Sequence, residues 1–534
     1  MRKTDAFTEK LTFEPYEGTE PYIFISYSHS NSQEVYRILN RLNKEKFRVW
    51  FDDTMEIGED FRDELREKIE DCSAFIIFIS NASMSSKYCG MEIITAFKNN
   101  KKIYPVYVEE NVEIPAALKM MLENLQHVKG VSTENEDKYI TKMISNLPVE
   151  TMRSLIIKDN VLVKCKDGSQ LINIPDNVKV IGHAAFKNCE KLSIVNISES
   201  VEIIQDEAFR GCKGIQKLFL PKKVKLLGSS AFRDCISLTS LDIENSDIEI
   251  GERAFENCQV LKSINLPNGL AEIYGGVFNS CKMLEEITLP EELIILGESS
   301  FASCVRLKKI EVPEGVTKID DMAFSGCVSL KEVILKPGLN KIGKNTFKEC
   351  ESLTEIFIPA TVYSIGTGPF RGCVNLKKVV VDSKNKSFKS VDDVLFNKNK
   401  SVLICYPASK DKYEYEIPDS VTIISDWSFC DCSKLNKIII PDSVTEIGEG
   451  AFHKCDKLKS VEIPDSVYKI DDTAFRGCSS LEKVLIPDSV TEFGWGLFNG
   501  CNKLVVYCSD DSRAAKYCDK KHIEHRPISD FGMK

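Results

Sequence analysis

Three short polar stretches hold most of the residues near the N-terminus that could do chemistry: Ser26-Tyr27-Ser28-His29, Asp52 to Glu59, and Asn81 to Lys87. Each follows a run that is almost entirely apolar. Just beyond the third lies Cys89, either a reactive thiol or a half-buried cysteine of a helix. Two other patterns carry less. GLNKIGKN at 338–345 nearly matches a phosphate loop, but Asn345 stands where Ser or Thr is needed and no strand–loop–helix context surrounds it. His522, Glu524 and His525 read as a polar surface rather than a metal site, so no metal is expected.

The flanking elements say how the polar stretches must be placed. Tyr22 to Tyr27 (YIFISY), Phe47 to Phe51, Ala74 to Ser80 and Ile103 to Val108 read as strands, with a weaker fifth near Gln126 to Lys129. Ser32 to Lys44, Phe61 to Ile69, Ser86 to Asn100 and Glu136 to Ser145 have helical spacing. Apolar strands alternating with helices predict a parallel sheet covered on both faces. In such a sheet ligands bind beyond the carboxyl ends of the strands, where strand order reverses. The three polar stretches all fall there.

Those stretches carry a family likeness. FISYSHSN at 24–31, VWFDDTMEIGEDFRDELREKIEDC at 49–72 and ISNASMSSKYCGME at 79–92 resemble, in order, three conserved segments of the Toll/interleukin-1 receptor (TIR) family. The third resembles the family's S-x-W-C-x-x-E, with Tyr88 in place of Trp. The resemblance covers about residues 20–148 and implies a flavodoxin-like fold with a five-stranded parallel sheet. It also implies NAD+ glycohydrolase activity, with Glu92 as the catalytic carboxylate and NAD+ as substrate rather than cofactor. Tyr27, Ser28, Ser86 and Tyr88 are then expected at the nucleotide, with Asp53 and Gly58 in a loop that serves ligand binding or TIR–TIR contact. The alternative is a TIR scaffold that assembles without chemistry.

The remainder of the chain is periodic. Cysteines recur every 23 residues from Cys189 to Cys373 and from Cys432 to Cys501, with one step of 59 between the two runs. Each has Phe three residues before it and, except at Ile215, Leu three residues after it. A fixed period of this length means a solenoid whose units bury their faces only by stacking. The pattern resembles BspA-like leucine-rich repeats and predicts a β-rich solenoid of 13 repeats over 176–508. The resemblance implies a recognition surface without chemistry of its own. Gly at the turn before Phe in eight of the repeats suggests a bend that needs positive φ. The ladder cysteines read as small, reduced, buried hydrophobes. Residues 149–155 read as a linker, 156–175 as a cap, about 383–416 as an inserted hairpin resembling that cap, and 509–534 as a C-terminal cap. The first-strand residues Ile334, Phe357 and Val380 should form an exposed apolar strip that binds an unknown partner.

Composition bounds the rest. The net charge is -10 with no basic block, which argues against nucleic acid. No apolar run is long enough to span a bilayer, so no membrane partner is expected. Residues 1–19 form a polar leader without a secretory core, which predicts a cytoplasmic protein rather than a surface adhesin.

Overall fold

The computed structural model describes residues 10–18, 21–52, 59–109, 111–122, 125, 136–148, 151, 155–165 and 170–532. The chain divides into two compact units, one comprising residues 1–167 and 173–178, the other 168–172 and 179–534.

In the first unit the apolar runs become strands β1 (Ile23–Ser26), β2 (Val49–Phe51), β3 (Ala74–Ile79) and β4 (Lys102–Tyr107). All pair in parallel in the order β2-β1-β3-β4. Among the described residues the sheet has four strands. The fifth expected strand, near Gln126 to Lys129, lies outside them. Helices α1 (Ser32–Lys44), α2 (Glu59–Asp71), α3 (Asn81–Ser85), α4 (Lys87–Lys98), α5 (Ala116–Leu122) and α6 (Glu136–Ser145) complete the unit.

Strand parity sorts the two faces. Ile23, Ile25 and Tyr27 pack with Val35, Ile38, Leu39 and Leu42 of α1 and with Ile140 and Met143 of α6. Tyr22 and Phe24 pack on the other face, with Ile69 of α2, Cys89 and Ile93 of α4, and Leu118 of α5. Phe24 stacks between Trp50 and Phe75, at 4.9 and 5.4 Å between centroids. Each such pair adds about 0.5–1.5 kcal/mol to its area burial.

The helix expected over Ser86 to Asn100 is α4, and the stretch before it, expected as a loop, holds the short α3. Ser80 caps α3 by accepting a hydrogen bond from the Ser83 N–H, and Ser86 caps α4 by accepting one from the Cys89 N–H. Two N-caps six residues apart restart the helix.

A hairpin of β5 (Leu155–Lys158) and β6 (Val161–Cys165) follows. Asp159 and Asn160 at its turn both have positive φ, the mirror-image turn that matches strand twist.

In the second unit the 23-residue period is a parallel register, as in Lys217↔Ser240 and Lys309↔Glu332. The Phe rings stack from Phe186 to Phe370 at 4.8–5.8 Å. The stack runs again from Tyr406 through Phe429 to Phe498. Tyr406 thus takes the Phe place in an atypical rung, whose extra length is a hairpin of Phe388–Val391 and Val394–Asn397. Its turn, Asp392-Asp393, repeats the double positive φ of Asp159-Asn160. A terminal helix, α7 (Arg513–Lys521), buries Ala514, Ala515 and Cys518.

All twenty cysteines are free. Most ladder thiols donate to the carbonyl of the Phe one rung back, as Cys212 to Phe186 at 3.0 Å, Cys327 to Phe301 at 3.2 Å and Cys455 to Phe429 at 3.1 Å. The turn glycines correct the expectation from sequence. Gly228 and Gly343 do not have positive φ. A Cβ on Gly228 would meet the backbone N of Asp206 at 2.4 Å, and one on Gly343 the backbone C of Asp320 at 2.5 Å. Glycine is there because the preceding rung's backbone presses against it. Left-handed residues sit elsewhere in the repeat, for example Ser230 and Asp234.

Candidate functional site

Strand β1 ends in Ser26, which shares parity with Tyr22 and Phe24 and so faces α4. The Ser26 hydroxyl is 1% exposed and donates to Glu92 Oε2 at 2.5 Å. Asp52, one residue beyond β2, shares parity with Trp50 and adds its negative charge to the same place. Glu92, on the second turn of α4, therefore stands over the carboxyl ends of β1 and β2. Strand order reverses on the other side of β1, between β1 and β3, with α1 leaving toward one face and α3–α4 toward the other.

Burial is the main influence on Glu92. It raises the carboxyl pKa to about 7, aided by Asp52 and opposed by the Ser26 hydrogen bond. Such a group is close to half ionised at neutral pH, the range suited to acid–base and charge-stabilising roles. Cys89 is 4% exposed, and burial followed by the Glu92 charge pushes its thiol to about 11. At neutral pH it is a packed thiol rather than a nucleophile. Its sulfur lies 3.6 Å from the Tyr27 carbonyl oxygen.

The expected site residues separate into groups. Glu92, Ser86 and Tyr88 come together on α4, with Tyr88 one turn before Glu92 and 37% exposed. Tyr27 turns to the other face. Its ring packs against His29 and Tyr36, and its hydroxyl donates to the Asp52 carbonyl at 3.0 Å. Ser28 precedes a short 3₁₀ turn, with its hydroxyl 2.9 Å from that of Ser30. Asp53 and Gly58 lie outside the described residues.

Ser26, foreseen only as part of the first polar stretch, and three residues not foreseen, Asn31, Ser80 and Glu109, complete the crevice. The buried Ser80 hydroxyl donates to Asn31 Oδ1 at 2.6 Å. Glu109, just past β4, accepts from the Asn81 N–H at 2.9 Å and from Asn31 Nδ2 at 3.3 Å. The Asn81 bond leads in holding the Glu109 carboxyl below its ordinary pKa. This network ties together the loops that follow β1, β3 and β4. Parity alone could have found Ser26, the one polar residue on the α4 side of YIFISY.

In the second unit Phe357 is 46% and Val380 37% exposed, while Ile334 is half-buried. They line a groove of about 380 Å³ with Lys331, Glu332, Glu355 and Lys378. Lys378 pairs with Glu355 at 2.5 Å. The inserted hairpin binds the edge of the Val380 strand, through Val379 N–H to the Asp393 carbonyl at 3.1 Å, and leaves the strip open.

Among the described residues no group of three or more His, Cys, Asp or Glu side chains could hold a metal ion. Among the same residues, no helix is long and apolar enough to cross a membrane.

A parallel α/β sheet with a half-buried carboxylate beyond its strand ends, together with a 23-residue solenoid, defines a TIR–leucine-rich-repeat architecture. The TIR domain family matches residues 23–144, and the BspA type leucine-rich repeat region matches 156–285, 272–402 and 408–513. The chain belongs to the BspA-type leucine-rich repeat family and carries a TIR domain. It is similar to a leucine-rich repeat protein from Bacteroides ovatus, at 27% identity and TM-score 0.46, over 71% of this chain and 91% of that one. It is also similar to a leucine-rich cell surface protein from Faecalibacterium prausnitzii, at 26% identity and TM-score 0.45, over 69% and 96%. No curated protein matches it.

Proposed function

We propose that the TIR unit cleaves the bond between ribose and nicotinamide in NAD+, and that the repeats control this through a protein partner. The pairing of a TIR domain with leucine-rich repeats is one of signalling or defence-type proteins, and the TIR family includes NAD+-cleaving members. The observation that carries the reading is Glu92, a half-buried residue beyond the carboxyl end of β1 whose carboxylate accepts from Ser26 and whose pKa is raised to about 7.

The chemistry asks little else of the protein. The glycosidic C–N electrons leave with nicotinamide, which departs neutral, and an oxocarbenium-like ribose remains. A carboxylate held beside it in a low-dielectric crevice stabilises the positive charge and orients the ribose hydroxyls. Attack by water and release of one proton give ADP-ribose. Attack by a nucleophilic atom of the same molecule gives a cyclised product. The repeats supply recognition, through the face around Phe357 and Val380.

Chromatography of the full chain incubated with NAD+ tests this. Nicotinamide with ADP-ribose or its cyclised form is expected. Unchanged NAD+, at all protein concentrations and with the partner engaged, would leave a non-catalytic scaffold.

A further inference from the structure

An all-apolar strand that ends in a buried hydroxyl needs a reason. Burying a hydroxyl without a partner is destabilising, and Ser26 is 1% exposed. Among the described residues, the acceptor of its proton is Glu92 Oε2. Glu92 in turn receives no other hydrogen bond from those residues. The two side chains come from positions 66 residues apart, one on a strand end and one on a helix, and each satisfies the other.

We propose that Ser26 is the positioning residue for Glu92. Its hydroxyl, carried rigidly by β1, fixes Oε2 and so directs Oε1 toward the bound ribose. The inference rests on the NAD+ reading but concerns a different residue. A hydrogen bond to the charged form of a carboxylate favours that form, so Ser26 also offsets the burial and the Asp52 charge that oppose ionisation. The titratable groups around the carboxyl are Asp52, after β2, and Cys89 on its own helix. Neither can supply what Ser26 does, since Asp52 repels a second negative charge and the Cys89 thiol points to the Tyr27 carbonyl.

Removing the hydroxyl is a small change in volume, so Ser26→Ala should fold. Its kcat at neutral pH should fall roughly 10–100-fold, the scale on which a misplaced catalytic group loses rate, while KM changes little. The acid limb of its pH profile should move up by about one pH unit, and Ser26→Thr, which keeps the hydroxyl, should restore the limb. A purely structural role would lower rate equally at every pH. A Ser26→Ala limb at the wild-type position, or a loss independent of pH, overturns the proposal.

A second measurement separates this from the NAD+ reading. In protein carrying 13C-labelled glutamate carboxyls, the signal missing from Glu92→Gln reports Glu92. Its midpoint should rise in Ser26→Ala, and an unmoved midpoint overturns the proposal whether or not NAD+ turns over. Wild-type protein without turnover would refute the NAD+ reading alone, and the titration then decides the role of Ser26.

Discussion

Glu92 costs the fold something when it ionises. Its folded pKa, about 7, lies above the ordinary carboxylate value of 4.5. Between those values the native state binds more protons than the unfolded one, so stability falls as pH rises through that window. Glu92→Gln removes the liability. Its thermal unfolding should match wild type near pH 5 and exceed it by roughly 1–3 kcal/mol near pH 8. Equal stability at pH 8 would mean that the carboxyl is not buried as described. The place of Glu92 beside the strand ends was legible from strand order, while its pairing with Ser26, named only as part of the first polar stretch, was not. The alternation of YIFISY places 22, 24 and 26 on the α4 side and 23, 25 and 27 on the other. Asn31 and Glu109 were not legible, since their meeting depends on loops from distant parts of the chain. The cysteines needed structure too. Composition suggests packing, but eleven of the thirteen ladder thiols also donate to a Phe carbonyl. A serine at Cys327 can donate to the Phe301 carbonyl in the same way, so Cys327→Ser should cost only about 0.5–1.5 kcal/mol. A loss well above that in chemical denaturation would mean that the hydroxyl finds no partner.

At the scale of elements, period and parity carried most of the information. α1 falls at Ser32–Lys44 as its spacing predicts, and the apolar runs become β1 to β4 within a residue or two. The short α3 was missed because its five residues are polar and serine-rich, and α5 because seven residues show barely two turns of periodicity. Glycine tells the same story in energies. Gly343→Ala drives a Cβ into the backbone of Asp320 and Asp321, which cannot retreat without shifting a rung. It should cost about 1–3 kcal/mol. Gly90→Ala is the control: in α4 the nearest atom to its Cβ is Leu118 Cδ1 at 3.9 Å, and helix propensity should yield up to about 1 kcal/mol of stabilisation. If both substitutions behave alike in unfolding measurements, close approach does not explain the turn glycines. On the outward face, Phe357→Asp should leave the melting temperature nearly unchanged and abolish activation in cells. A large drop in melting temperature would show Phe357 to be core.

At the scale of the whole molecule, the 23-residue repeat was legible at sight because a solenoid writes the same packing into every rung. The insertion was legible because DDVLFNKNKSVLICYP resembles the first hairpin, and both turn through two residues of positive φ. What a partner does to the TIR unit was not legible, because coupling depends on states rather than on sequence pattern. If activation is by TIR–TIR association, turnover per molecule rises with protein concentration, and constant specific activity across a wide dilution series argues against it. The central claim is that Glu92 gives this chain an NAD+-cleaving centre, and product chromatography with wild-type and Glu92→Gln protein tests it most directly. The account predicts nicotinamide release by the wild type and a loss of nearly all turnover in a well-folded Glu92→Gln. A variant within about tenfold of wild type, a barrier change of only ~1.4 kcal/mol, would contradict it.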